Sequence, residues 1–183
     1  MRCSVFIGAS LDGFIARPDG GIDWLDVEGV LENEDYGYNE FIREIDAIVM
    51  GRGSFEKVLT FDSWPYGSTR VVVLSTRPLT IPERLSQTVE HMAGPPEAIV
   101  TRLEERGLTR LYIDGGKTIQ GFLRAGLIDR MTITRLPVIL GEGIPLFGAT
   151  GRDIRLEHLR TQAYPDGLVQ TEYRVRREES AKS

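Results

Sequence analysis

Apolar positions along this chain gather into short β-branched runs, separated by longer stretches whose apolar residues recur at helical spacing. The runs predict strands at Cys3–Ala9, Ala47–Met50, Arg70–Ser75, Arg110–Ile113, Arg130–Val138, Arg155–Tyr164 and Leu168–Arg176. The stretches between them predict helices at Asp35–Ile45, Ser54–Leu59, Pro96–Arg106 and Thr118–Ala125. Such alternation is the pattern of an α/β sheet domain rather than of a bundle or a sandwich. Pro165, Asp166 and Gly167 are the residue types of a tight turn, so the last two strands are expected to close an antiparallel hairpin.

At 183 residues the chain matches one ordinary domain, which buries roughly 70% of its unfolded surface without staples. It has no internal repeat or linker-like shift, so a single domain is expected over 1–176, with a polar tail over 177–183. The lone cysteine, Cys3, excludes an intramolecular disulfide and a cysteine-built zinc cluster, and points to a reducing cytoplasm. Its place in the first apolar run marks it as a buried strand residue rather than a nucleophile. A net charge of -5 argues against a surface built to grip nucleic acid. No run approaches the ~20 apolar residues of a membrane span. Gly8, Ser10 and Asp12 interrupt the N-terminal run, which reads as a strand and not as a signal peptide. A soluble protein without a metal is expected.

Two segments put glycine between an apolar run and a predicted helix, where backbone N–H groups can receive phosphate. In Met50-Gly51-Arg52-Gly53-Ser54 the glycines leave room for a ligand, Arg52 offers a forked cation, and Ser54 can donate to phosphate or cap the helix. An ordinary strand–helix turn explains the same residues equally well. In Ile113-Asp114-Gly115-Gly116-Lys117-Thr118 the Gly-Lys-Thr triplet resembles a P-loop, but Leu111 stands where that motif requires glycine. What remains is a paired-glycine turn that could admit a pyrophosphate beside Lys117, or a turn whose glycines serve only a positive φ. A third run, Val71 to Leu74, ends in Ser75, Thr76 and Arg77, which could hold a ribose phosphate. Nowhere do three glycines take the spacing of a Rossmann fingerprint.

Taken in order, Met50-Gly51-Arg52, Leu74-Ser75-Thr76 and Gly115-Gly116 resemble the cofactor side of dihydrofolate reductase. The stretches Gly126-Leu127-Ile128-Asp129 and Pro137-Val138-Ile139-Leu140-Gly141-Glu142-Gly143 are similar to the riboflavin-biosynthesis reductase branch of that superfamily. The resemblance runs from Cys3 to about Arg176. It implies a three-layer fold: a mixed, mostly parallel central sheet, helices on both faces, and a C-terminal antiparallel hairpin.

The resemblance also implies NADPH as cofactor. Gly51, Arg52, Gly53 and Ser54, with Ser75, Thr76 and Arg77, would surround the adenosine half and its 2′-phosphate. Gly115, Gly116, Lys117, Thr118 and Ile119 would cover the pyrophosphate, and Ala9 and Ile15 would line the nicotinamide. On the substrate side it implies Trp24, Tyr38, Phe41 and Thr134. The helix carboxylate of dihydrofolate reductases has two counterparts here, because counting back from Phe41 reaches Gly37 whereas counting back from Met50 reaches Asp35. Asp35, then Asp12, are the proton-donor candidates, with Asp23, Asp26 and Glu34 nearby. The implied activity is NADPH-dependent hydride transfer to a small planar heterocycle or carbonyl compound, like that of 5-amino-6-(5-phosphoribosylamino)uracil reductase. Dihydrofolate reductase activity and a catalytically silent NADPH-binding module are the alternatives. A homodimer is the implied assembly.

Overall fold

The computed structural model describes residues 1–25 and 34–177. The chain forms one eight-stranded sheet: β1 (Arg2–Ala9), β3 (Ala47–Gly51), β4 (Arg70–Leu74), β5 (Val89–Met92), β6 (Arg110–Asp114), β7 (Ile128–Arg135), β9 (Leu156–Ala163) and β10 (Val169–Val175), in the order β5-β4-β3-β6-β1-β7-β10-β9, with the apolar runs on its interior strands. The strands from β5 to β7 run parallel, and β10 and β9 follow antiparallel. Their turn is the expected one: Gly167, at φ 87, donates its N–H to the Tyr164 carbonyl.

Period-two alternation divides each interior strand between two cores. Ala47, Val49, Val72, Leu111 and Ile113 face the layer holding α3 (Pro96–Glu104) and α4 (Gly116–Arg124), through Ile99, Leu103, Ile119, Phe122 and Leu123. Ile48, Met50, Val71, Val73 and Tyr112 face the opposite layer, where α1 (Tyr38–Arg43) and α2 (Arg52–Val58) contribute Phe41 and Phe55. The fold is therefore the expected three-layer, mostly parallel α/β fold.

Several boundaries differ from expectation for local reasons. The first helix starts at Tyr38 and not at Asp35, because Tyr36 (φ 53) and Gly37 (φ 83) are left-handed. The second starts at Arg52 with Gly51 as its N-cap and no side-chain cap, so Ser54 lies inside the helix and does not cap it. Strand β5 was not expected, since Glu90 and His91 interrupt its apolar pattern. Nor was the small ribbon of β2 (Phe14–Ala16) with β8 (Ile144–Pro145), which pairs segments far apart in sequence. Cys3 is buried, and burial pushes its thiol up to about 12, which fits a core residue. Among the described residues no helix is long and apolar enough to cross a membrane, and no cluster of His, Cys, Asp or Glu is placed to hold a metal ion.

Candidate active site

Strand order reverses around β6. The chain leaves β1 for β3, moves outward to β4 and β5, then returns to insert β6 between β3 and β1. In open α/β sheets such a switch opens a crevice beyond the carboxyl ends of the strands. The loops after β3, β4, β5 and β6 all lie at that end.

A cavity of about 570 Å³ occupies part of it, lined by Arg52 and Glu56 after β3, Leu74, Ser75, Thr76 and Arg77 after β4, and Ala93 and Gly94 after β5. Two of the three sequence segments thus converge. The Arg52 Nε donates to Glu56 at 2.6 Å, whereas the Arg77 guanidinium has no partner among the described residues. The Ser75 hydroxyl bonds its own turn, donating to the Arg77 carbonyl at 2.8 Å. His91, half a strand back, reaches the Ser75 carbonyl at 2.7 Å and ties β5 to that turn. Ala93 and Gly94 are delivered by β5, whose broken apolar pattern does not announce a strand.

The third segment joins by close packing. A Cβ on Gly115 (φ +84) would stand 2.3 Å from the Ser54 hydroxyl, and one on Gly51 would stand 3.0 Å from the Thr118 hydroxyl. Only glycine lets the two strand–helix turns approach so closely. Gly116 is covered within the protein itself, since a Cβ there would lie 3.0 Å from the Pro145 carbonyl and 3.1 Å from Ile15 Cδ1. Its bareness therefore makes room for the β2–β8 ribbon at the start of α4. Lys117 and Gly53 are exposed and Thr118 is half-buried. Ile119 is fully buried in the core, so it supports the turn from behind. Ala9 likewise points into that core, and its carbonyl accepts the Leu136 N–H at 2.9 Å. Ile15 does reach the paired glycines.

The proposed substrate residues form two groups. Tyr38 and Phe41 pack on Phe6, whose ring stacks on Phe41 at 5.0 Å. Trp24 and Thr134 are both buried, Trp24 against Leu136 and Leu168. Gln170 donates to the Thr134 hydroxyl and to the Tyr36 carbonyl, each at 3.0 Å.

The carboxylate candidates are held in local bonds. Asp35 accepts the N–H groups of Gly37 and Asn39 at 3.0 and 2.8 Å, and these bonds hold its pKa below the ordinary 3.8. Asp12 accepts the Ser10 hydroxyl at 2.6 Å and the Gly141 N–H at 2.8 Å, with its pKa lowered first by Ser10. Asp23 is paired with Arg17 at 2.8 Å. Asp26 falls outside the described residues. A carboxylate depressed in this way stabilises the fold above its unfolded pKa near 3.8, and that contribution disappears as pH falls through the lower folded value. Asp35→Asn should accordingly lower the melting temperature slightly at neutral pH, with the difference closing in acid, and leave turnover unchanged. A pH series of melts beside a steady-state assay checks both.

Asp114, at the carboxyl end of β6, is the group that sequence reasoning passed over. Its carboxyl meets the Tyr112 hydroxyl at 3.2 Å, and that hydroxyl also reaches the Phe6 carbonyl at 2.8 Å. Burial pushes the Asp114 pKa up, against the opposing hydrogen bonds from the Gly115 N–H and Tyr112. The residue directly precedes the paired glycines. An acid ending an otherwise apolar strand is the signal that could have found it.

A family model described as the RibD C-terminal domain matches residues 3–170. The chain is 34% identical over 164 residues to the uncharacterized protein YwjB of Bacillus subtilis (strain 168), covering 87% of this chain and 90% of that protein. Among solved structures, a putative riboflavin biosynthesis protein from Shewanella sp. PV-4 superposes with a TM-score of 0.91 at 40% identity, covering 97% of this chain and all of the other. Dihydrofolate reductase from Enterococcus faecalis, complexed with NADP(H), shares the fold at a TM-score of 0.68 and 16% identity, covering 96% of this chain and 97% of that one.

Proposed function

This chain belongs to the RibD C-terminal domain family, and from that premise we propose that it is an NADPH-dependent reductase acting on a small planar nitrogen heterocycle. The observation that carries this reading is the cavity at the ends of β3, β4 and β5, where Arg52 and Arg77 stand beside Ser75 and Thr76. Two guanidinium groups and the Thr76 hydroxyl suit the 2′-phosphate of NADPH, with Ser75 shaping the turn, since arginine forms paired charge-assisted bonds to phosphate oxygens. The glycine turns at Gly51 and Gly115, packed against Thr118 and Ser54, fit a dinucleotide crossing from that cavity towards Ile15.

The chemistry supplied by the dinucleotide is hydride donation. The chain binds and orients it, and Phe6, Tyr38 and Phe41 offer flat apolar surface to a planar acceptor. Reducing a ring C=N or a carbonyl also requires a proton on the nitrogen or oxygen. Asp114 is the candidate donor, because burial raises its pKa and so shifts it towards the neutral, proton-bearing form. Asp35, the carboxylate that the dihydrofolate reductase alternative would use, is engaged by the Gly37 and Asn39 N–H groups in the turn before α1.

Arg52→Ala tests the cofactor assignment. Charge-assisted phosphate bonds are worth roughly 1.5–3 kcal/mol, so NADPH should bind about ten- to a hundredfold more weakly while NADH is spared. Fluorescence titration of both dinucleotides gives the comparison, and equal losses would remove Arg52 from the phosphate site.

A further inference from the structure

The cavity assigned to the 2′-phosphate also contains a carboxylate. Glu56, one turn after Arg52 on α2, lines the same space as Ser75, Thr76 and Arg77, and one of its oxygens takes the Arg52 Nε at 2.6 Å. Both side chains are about half exposed, at 42% for Arg52 and 52% for Glu56, so both are open to a ligand. The second carboxylate oxygen of Glu56 has no bond among the described residues.

A phosphate and a ribose hydroxyl make opposite demands here. A 2′-phosphate accepts hydrogen bonds from Arg52 and Arg77 but is repelled by a carboxylate. A free 2′-hydroxyl donates, and an acidic side chain at the ribose is the usual receptor for it. The cavity carries both kinds of group side by side. Because Glu56 engages Arg52 through Nε, the two terminal nitrogens of the guanidinium remain available to a phosphate. Neither ligand is therefore excluded.

Resting on the reading of this cavity as the adenosine end of a dinucleotide site, we propose that the protein accepts NADH as well as NADPH, with Glu56 as the residue that sets the ratio. Glu56 tempers the preference for phosphate that two arginines alone would impose.

The test is Glu56→Gln, which keeps the side-chain length and an amide oxygen for Arg52 Nε but removes the charge. Fluorescence titration of NADPH and NADH against wild type and variant should show measurable NADH binding to wild type. In the variant NADPH should tighten about three- to tenfold and NADH weaken by a similar factor, as expected when a charged acceptor becomes neutral. A ratio unchanged within about twofold, or a parallel weakening of both dinucleotides, would reduce Glu56 to a prop for Arg52 and overturn the proposal. Wild type that binds NADPH but no NADH would also overturn it, leaving the cofactor assignment intact. Wild type that binds neither would remove the cavity's assignment and this proposal together.

Discussion

Asp114→Asn lowers NADPH-dependent turnover by about 10²–10⁴-fold, the range that a positioned general acid contributes, while NADPH affinity and the fold are retained. Asparagine preserves the shape and can still meet Tyr112 and the Gly115 N–H, but it has no proton to give. The stability change has the opposite sign to ordinary damage. A carboxyl whose folded pKa is raised binds its proton more tightly in the folded chain, so its stabilising contribution is greatest below the unfolded value of 3.8 and declines as pH rises through the folded value. At neutral pH the neutral amide relieves that cost, so the variant should melt at the same temperature as wild type or higher. For the same reason wild-type kcat/KM should fall as pH rises through the Asp114 pKa, and the variant should lack that limb. Steady-state rates across pH, paired with melts, decide it. Wild-type turnover in the variant would transfer the proton to another donor.

Gly116→Val should abolish cofactor-induced stabilisation and also weaken the protein by about 1–3 kcal/mol, as expected of an overpacked site. The new side chain would press on the Pro145 carbonyl and Ile15, displacing the β2–β8 ribbon that closes over the start of α4. Melts with and without NADPH separate the two effects. A variant stabilised by NADPH as strongly as wild type would show that the ribbon and the paired glycines have no part in the cofactor site.

Much of the fold was legible because the interior strands have no polar breaks: Ile48 to Met50, Val71 to Val73 and Leu111 to Ile113 each belong to the two cores in alternation. The edge was not. Val89–Met92 has only four residues, two of them polar, and its pairing with β4 depends on the rest of the sheet. Missing it hid Ala93 and Gly94, one wall of the cavity. The ribbon of Phe14–Ala16 with Ile144–Pro145 exists through contacts across most of the chain, which no local pattern encodes.

The site divided in the same way. Arg52, Ser75, Thr76 and Arg77 could be found from the residue types that follow strands, and they converge on one cavity. Asp35 and Asp12 had the right chemistry, but the backbone N–H groups that engage them depend on turn geometry, such as the left-handed Tyr36 and Gly37. Asp114 was hidden for the converse reason, since the burial that raises its pKa exists only once β6 is set inside the folded sheet. Glu56 reads as a surface helix acid until α2 is set beside the ends of β4 and β5.

Hydride transfer is tested most directly by NADPH oxidation by the wild-type protein with a panel of aminopyrimidines and pterins, using dinucleotide deuterated at the transferred position. Substrate-dependent loss of NADPH absorbance, slowed by the deuterium, is expected with at least one ring-nitrogen compound. Tight NADPH binding with no oxidation across the panel would contradict it and identify a catalytically silent binding module.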